Sequence, residues 1–325
     1  MAIATTYRTC PRSGLQFEAN AEKLITANAV AAVVFLLIGG VLALGVALTR
    51  WPAVHWLQAD TFYQVLTAHG IDMLIFWIIF FEIAVLYFCA STLLRCRIAT
   101  PRIAWLAFAL MLIGAVVNNY AVYKGGSSVM MTSYVPMMAE QSFYLGLILF
   151  AVGALIGCFV FFGTLVVAKR DKTYEGSVPL VTFGAITAAI IAVFTIASGA
   201  IILIPTWLLS LGVIDKVDPL IYRMIWWAFG HSSQQINVAA HVSVWYLVAA
   251  VGFGAKRVPA LHPLPAARER APPAGGPGAV HQLEGRQHQL LHVLRGAGLD
   301  DPRTHRARRH GSGAAPERLH TRAVW

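Results

Sequence analysis

Six stretches of this chain are each long and apolar enough to cross a bilayer, and that removes most folds from consideration. Their approximate limits are Leu24–Thr49, Phe62–Leu94, Arg102–Tyr123, Ala139–Ala168, Val178–Val213 and Pro219–Ala255. A transmembrane helix needs about 20 apolar residues. Backbone inside lipid must satisfy its own N–H and C=O groups, which leaves helices or closed barrels. The strict alternation of barrel strands is absent from these runs. The expected class is an all-α membrane protein with six transmembrane helices. Composition agrees: 12% of the 325 residues are charged, where a soluble domain carries about a quarter.

The basic residues sort by side. Arg8, Arg12 and Lys23 precede the first run, Arg95, Arg97 and Arg102 lie around the second connection, and Lys169, Arg170 and Lys172 around the fourth. Lys256 and Arg257 follow the sixth. The alternate connections carry Arg50, Lys124 and Lys216, offset by Asp60, Asp215 and Asp218. By the positive-inside rule the N-terminus and the end of the sixth run are expected in the cytoplasm, with the chain a multi-pass membrane protein. This bias, with the basic end of the chain, accounts for much of the net charge of +10, so no nucleic-acid partner is expected. Residues 1–23 are polar, with no apolar stretch of a cleavable signal peptide. Four cysteines, Cys10, Cys89, Cys96 and Cys158, form no CxxC pair and read as buried thiols of a bundle.

Three segments are therefore expected: a cytoplasmic N-terminal piece (1–23), a six-helix membrane domain (24–255) and a basic tail (256–325). The tail is rich in Arg, Pro, Gly, Ala and His and holds seven of the eleven histidines. It shows no sustained period. It reads as disordered or as an out-of-frame translation of GC-rich DNA. On the out-of-frame reading its histidines are accidents of composition and not a metal site.

Polar groups inside the runs are the candidates for chemistry, because such groups are costly in lipid unless they face protein, water or a metal. The sixth run contains Trp226-Trp227-Ala228-Phe229-Gly230-His231-Ser232-Ser233-Gln234-Gln235-Ile236-Asn237, with His241 and Ser243 beyond. At 1.5 Å per residue, His231 lies about 18 Å along its helix and His69 about 10 Å along the second. His241 is about 15 Å of rise and about 80° of azimuth from His231, so those two cannot share one ion. His231 is read as a metal ligand, with Gln235 one turn on and Gln234 and Asn237 widening that face. His241 is expected as a hydrogen-bonded imidazole inside the bundle or part of a polar pathway. His69 precedes Gly70, which offers either a flat approach for a haem edge or a helix-packing contact. Glu82, in mid-run, is equally a proton-carrying group or a structural acid. Asp72, nearer the outer end, is expected to meet water or a headgroup-level partner.

Thr67-Ala68-His69-Gly70 in the second run and Trp226-Trp227-Ala228-Phe229-Gly230-His231 in the sixth resemble the catalytic subunit of haem–copper oxidases (cytochrome c oxidase subunit I). Ser133-Tyr134-Val135-Pro136 through Gln141-Ser142-Phe143-Tyr144-Leu145-Gly146 looks like the B-type branch of that family. The resemblance covers about residues 20 to 255. It implies half of a twelve-helix fold, a low-spin haem with His69 as one axial ligand, and a copper ion held by His231 opposite a high-spin haem. It further implies dioxygen reduction with proton uptake, accessory oxidase subunits, and cytochrome c or quinol as electron donor.

The sequence departs from the family pattern in two places. Four residues after the copper-ligand histidine the family places a tyrosine, and this chain has Gln235, which is therefore the candidate catalytic position. Nitric oxide reductases of the superfamily also lack that tyrosine, whereas one oxidase branch supplies it from the seventh helix. The helices that carry the remaining metal ligands are absent, which leads to the expectation of a truncated chain that is inactive alone. An NO reductase-like member and a non-enzymatic six-helix membrane carrier stand as alternatives.

Overall fold

The computed structural model of the chain describes residues 7–11 and 13–252. The expected tail, 256–325, and the last residues of the sixth run lie outside the described residues. Two short strands, β1 (Tyr7–Thr9) and β2 (Gln16–Glu18), form an antiparallel hairpin. Helix α1 (Ala19–Arg50) follows. The second span is continuous from Ala59 to Thr92. It comprises α2 (Ala59–Ile71), a π turn (Asp72–Phe76), α3 (Trp77–Tyr87) and a second π turn (Phe88–Thr92). Then come α4 (Pro101–Lys124), α5 (Gln141–Arg170), α6 (Leu180–Ser210) and α7 (Pro219–Gly252).

Six long helical passes thus stand where the hydropathy pattern places them. Five are long and apolar enough to cross a membrane. The sixth, α7, is not among these five, because His231, Gln234, Gln235, Asn237 and His241 interrupt its apolar character. The start that differs most from its apolar run is that of α1, which begins at Ala19, five residues before Leu24. The Glu18 carboxylate accepts from the backbone N–H of Ala21 at 2.8 Å and so caps that end. The hairpin, which the hydropathy pattern does not foretell, is tied to the helix by an ion pair between Arg8 and Glu22. Its Phe17 meets Phe88 of the second span at 6.1 Å between ring centroids.

Aromatic rings join the helices at the centre of the bundle. Phe76 and Phe80 of the second span contact Phe35 of α1 (5.4 and 5.7 Å) and Phe150 of α5 (4.7 and 5.5 Å). Phe108 of α4 closes the group at 6.0 Å from Phe80. The opposite face of α1, with Val33, Leu37, Val41 and Leu44, is exposed, an apolar surface that suits acyl chains and not water. Consecutive helices make the closest pairs, α4 with α5 and α6 with α7, as short connections between antiparallel spans require.

The turn after the second span buries Cys96. Its thiol donates to the carbonyl of Ala90 at 3.1 Å. Burial pushes this thiol up to about 12, helped by the Asp171 and Glu18 carboxylates and opposed by the Arg97 guanidinium. The thiolate is the reactive form, so the folded protein holds almost none at neutral or mildly alkaline pH. In a variant keeping Cys96 as its one cysteine, maleimide labelling at pH 7 to 9 should be negligible while folded. It should become rapid in denaturing detergent. Fast labelling of the folded protein would contradict this burial.

Candidate functional site

His69 sits in the last turn of α2, half-buried against α1. Its Nδ1 lies 2.9 Å from the carbonyl oxygen of Gly39. A carbonyl can only accept, so Nδ1 carries the proton in this contact and Nε2 is left with its lone pair. That tautomer is the one a metal-ligating imidazole takes when a second partner orients it. Gly39 makes the approach possible, since a Cβ built there would meet Met73 Cγ and Sδ at 2.8 Å and Asp72 Cβ at 3.2 Å. Sequence reasoning missed Gly39. Its signal, the Gly39-Gly40 pair inside the first apolar run, is visible but shared with ordinary helix packing.

Gly70 does not present an open face. A Cβ there would lie 2.9 Å from Met131 Cβ, so this glycine serves packing against the connection between α4 and α5. The same connection is tied to α2 by Thr67, whose hydroxyl accepts from the Met130 N–H at 2.9 Å. Three residues past His69 the helix widens into its first π turn, a feature that often accompanies functional sites. Asp72 opens this turn and is fully buried, contrary to the expected contact with water or headgroups. Its Oδ1 accepts from Asn119 Nδ2 of α4 at 2.8 Å, and its Oδ2 has no protein partner. The extra residue of the π turn and the close packing of α4 turn that side chain inward.

The polar block of α7 divides into two faces. His231, Gln234, Gln235 and His241 are exposed, on the side away from the other helices. His231 Nδ1 lies 3.3 Å from Gln234 Oε1. Ser233, Asn237 and Ser243 face inward and line a cavity with residues of the second span, α5 and α6. Asn237 therefore does not widen the face of His231; at 100° per residue it lies about 120° away. His241 is not inside the bundle. Nor does the structure bring His69 and His231 to a shared cavity. Among the described residues, no group of three or more His, Cys, Asp or Glu side chains could hold a metal ion. Polar groups in mid-membrane on an outward face demand a protein neighbour; among the described residues His231 meets Gln234 of its own helix and makes no hydrogen bond to another helix.

Two motifs that are distant in sequence meet at one end of the bundle. Ser133 Oγ lies 2.9 Å from Tyr222 Oη, which also donates to the Thr132 carbonyl at 3.2 Å. Arg223 sits 4.9 Å from the centroid of the Tyr134 ring, and Tyr222 stacks on Trp226 at 6.3 Å. The Ser133-Tyr134-Val135-Pro136 segment thus fixes the start of α7.

Comparison with known proteins accords with this arrangement. Cytochrome c oxidase subunit 1 of Thermus thermophilus is 28% identical over 177 residues, covering 53% of this chain and 30% of the relative. The probable cytochrome c oxidase subunit 1-beta of Nocardia farcinica is 26% identical over 225 residues, covering 62% and 37%. The heme-copper oxidase subunit I+III of Aeropyrum pernix is 24% identical over 222 residues, covering 62% and 27%. This chain thus spans about a third of the length of these relatives. A solved heme-copper terminal oxidase dimer shares the fold, with a TM-score of 0.63 and 24% identity, covering 70% of this chain and 39% of its own. The family profile for cytochrome c and quinol oxidase polypeptide I matches residues 23–259, and the chain belongs to that family.

Proposed function

We propose that this chain carries the low-spin haem side of the catalytic subunit of a respiratory haem–copper oxidase, embedded in the bacterial cytoplasmic membrane with its N-terminus inside. The observation that carries the reading is the contact of His69 Nδ1 with the Gly39 carbonyl at 2.9 Å. It holds the ring in one tautomer and leaves the Nε2 lone pair, with which His69 would hold a haem iron. Bound haem would supply one-electron transfer between a donor, cytochrome c or quinol, and an acceptor site. The protein's own contribution is orientation: α1 presents the carbonyl, and the glycine lets the two helices close.

The copper and high-spin haem of the family fit this chain less well. His231 is exposed and belongs to no group of three or more His, Cys, Asp or Glu side chains among the described residues, and a stable site for such an ion takes three or four ligands. The outward face of α7 instead fits an interface at which further protein, from the same subunit or an accessory one, would complete the ligand set. Gln235 also lies on that face. As an amide it cannot supply the electron that a tyrosine gives, which favours nitric oxide reduction as the second reading. Family membership lends no support to a non-enzymatic carrier.

The test uses purified protein in lipid. His69→Ala should abolish the low-spin haem absorption of the reconstituted chain while leaving helix content unchanged. Retention of that absorption would remove His69 as a ligand. With partner subunits present, oxygen and NO consumption are measured side by side, and turnover of NO alone would replace the oxidase reading with the reductase one.

A further inference from the structure

A cavity of about 50 Å³ lies between the second span, α5, α6 and α7. Alanines form much of its wall (Ala154, Ala185, Ala188, Ala189, Ala192 and Ala240). Into this apolar space point Glu82, Thr195, Ser233, Asn237 and Ser243. The Glu82 Oε1 atom is buried and has no hydrogen-bond partner among the described residues. Among the described residues no lysine, arginine or histidine lines the cavity, and the one other titratable group lining it is the Cys158 thiol of α5.

The three hydroxyls use their protons within their own helices. Ser233 donates to Gly230 O at 2.7 Å, Ser243 to Ala239 O at 2.9 Å and Thr195 to Ile191 O at 2.8 Å. Each oxygen keeps lone pairs for the cavity, and the Asn237 amide can donate and accept. A water molecule needs about 10–15 Å³ of such space and two to four polar partners. The cavity meets both conditions for about three waters. An apolar cavity of this size would stay dry, but this one carries a carboxyl, an amide and three hydroxyls.

Position gives the site its meaning. Ser233 is two residues past His231, and Asn237 and Ser243 continue one face of α7 away from it. Along the second span Glu82 is 13 residues, about 20 Å, beyond His69. Both directions lead toward the ends that carry Arg95, Arg97, Lys169 and Arg170, which the charge bias assigns to the cytoplasm.

We propose that Glu82 is a proton-holding group of a hydrated cavity on the cytoplasmic side of His231, with Asn237, Ser233 and Ser243 ordering the water that carries the proton. An ionised carboxylate with no cation beside it is costly in such surroundings, so the resting form is the acid. In the transfer step the Glu82 O–H bond breaks and an O–H bond forms on a cavity water. A proton from the cytoplasmic side then restores the acid, and nothing is oxidised or reduced. This assignment rests on the oxidase reading for its purpose, since reduction of dioxygen or NO consumes protons, but the cavity and its acid can be tested without turnover.

The experiment is infrared spectroscopy of the full chain in lipid nanodiscs during exchange from H₂O to D₂O. The wild type should show the carbonyl stretch of a protonated carboxylic acid, lost in Glu82→Gln, which shifts on deuteration. Asn237→Leu, which blocks the water path, should slow that shift at least about tenfold, the factor produced by ~1.4 kcal/mol on a barrier. The milder Ser233→Ala keeps the test open if Asn237→Leu misfolds, and should slow it in the same direction. No acid band lost in Glu82→Gln, an acid band that does not exchange, or exchange indifferent to both α7 variants would each overturn the proposal. Haem absorption in His69→Ala is read separately. Persistent haem there removes His69 as a ligand and leaves the proton site standing, whereas a dry Glu82 beside a normal haem response sinks this proposal alone.

Discussion

Gly146→Leu should collapse the packing of α4 on α5 and cost about 3 kcal/mol of stability, the upper part of the range for overpacked sites. These two helices touch through their backbones. A Cβ at Gly146 would lie 2.6 Å from the Asn118 nitrogen and 2.7 Å from the Gly114 carbonyl oxygen. One at Gly153 would meet the Ala107 carbonyl oxygen at 2.6 Å, and one at Gly114 would meet Phe150 N at 2.5 Å. None of these is the far end of a flexible side chain, so relief requires the helices to part along their length. Parting also stretches the bond from Asn118 Nδ2 to the Phe143 carbonyl, now 2.9 Å. Small residues at helix crossings serve this close approach in membranes, where van der Waals packing and interhelical hydrogen bonds hold helices together. Gly40→Leu is the control, because nothing lies within 4 Å of a Cβ there. Thermal unfolding in detergent should separate the two variants clearly. Equal melting would show that the α4–α5 contact does not limit stability.

Much of the fold is legible in the sequence because lipid imposes one rule on every span: enough apolar residues to cross, and all backbone bonds made within. Helix limits follow from that to within a few residues, as α4 shows (Pro101–Lys124 against an expected Arg102–Tyr123). What hydropathy cannot convey is direction around the helix axis. The polar block of α7 reads as one face around His231, yet the structure turns Asn237, Ser233 and Ser243 inward and His231 and Gln235 outward. Asp72 shows the same limit, since a π turn shifts the rotation of everything after it and no apolar pattern announces one. The hairpin of Tyr7–Thr9 and Gln16–Glu18 is too short to produce a period. His69 is legible as a candidate, but its orienting partner is a backbone carbonyl, which has no letter in the sequence.

If His69 holds haem as proposed, Gly39 is where a change remote from any ligand atom should reach it. Gly39→Leu should lower haem affinity roughly 10- to 100-fold, the usual loss when a partner orienting a metal ligand is disturbed. Two groups stand in the way of a new side chain. Met73, at 2.8 Å, is a thioether that can swing aside, whereas Asp72 Cβ, at 3.2 Å, is fixed by the π turn and by the bond from Asn119. Gly39→Ala should thus be nearly silent, with Met73 yielding and the neighbour giving a few tenths of an ångström. Leucine cannot be absorbed in that way, and α1 must move off the second span. The Gly39 carbonyl then leaves His69 Nδ1, and the ring is free to rotate and to shift its proton between nitrogens. Adding Met73→Ala to Gly39→Leu enlarges the space and should restore part of the affinity. Haem titration followed by absorbance measures all four proteins, with helix content as the check on folding. If Gly39→Leu binds haem as the parent does while remaining folded, the carbonyl does not orient the ligand, and His69 must be held by contacts other than α1.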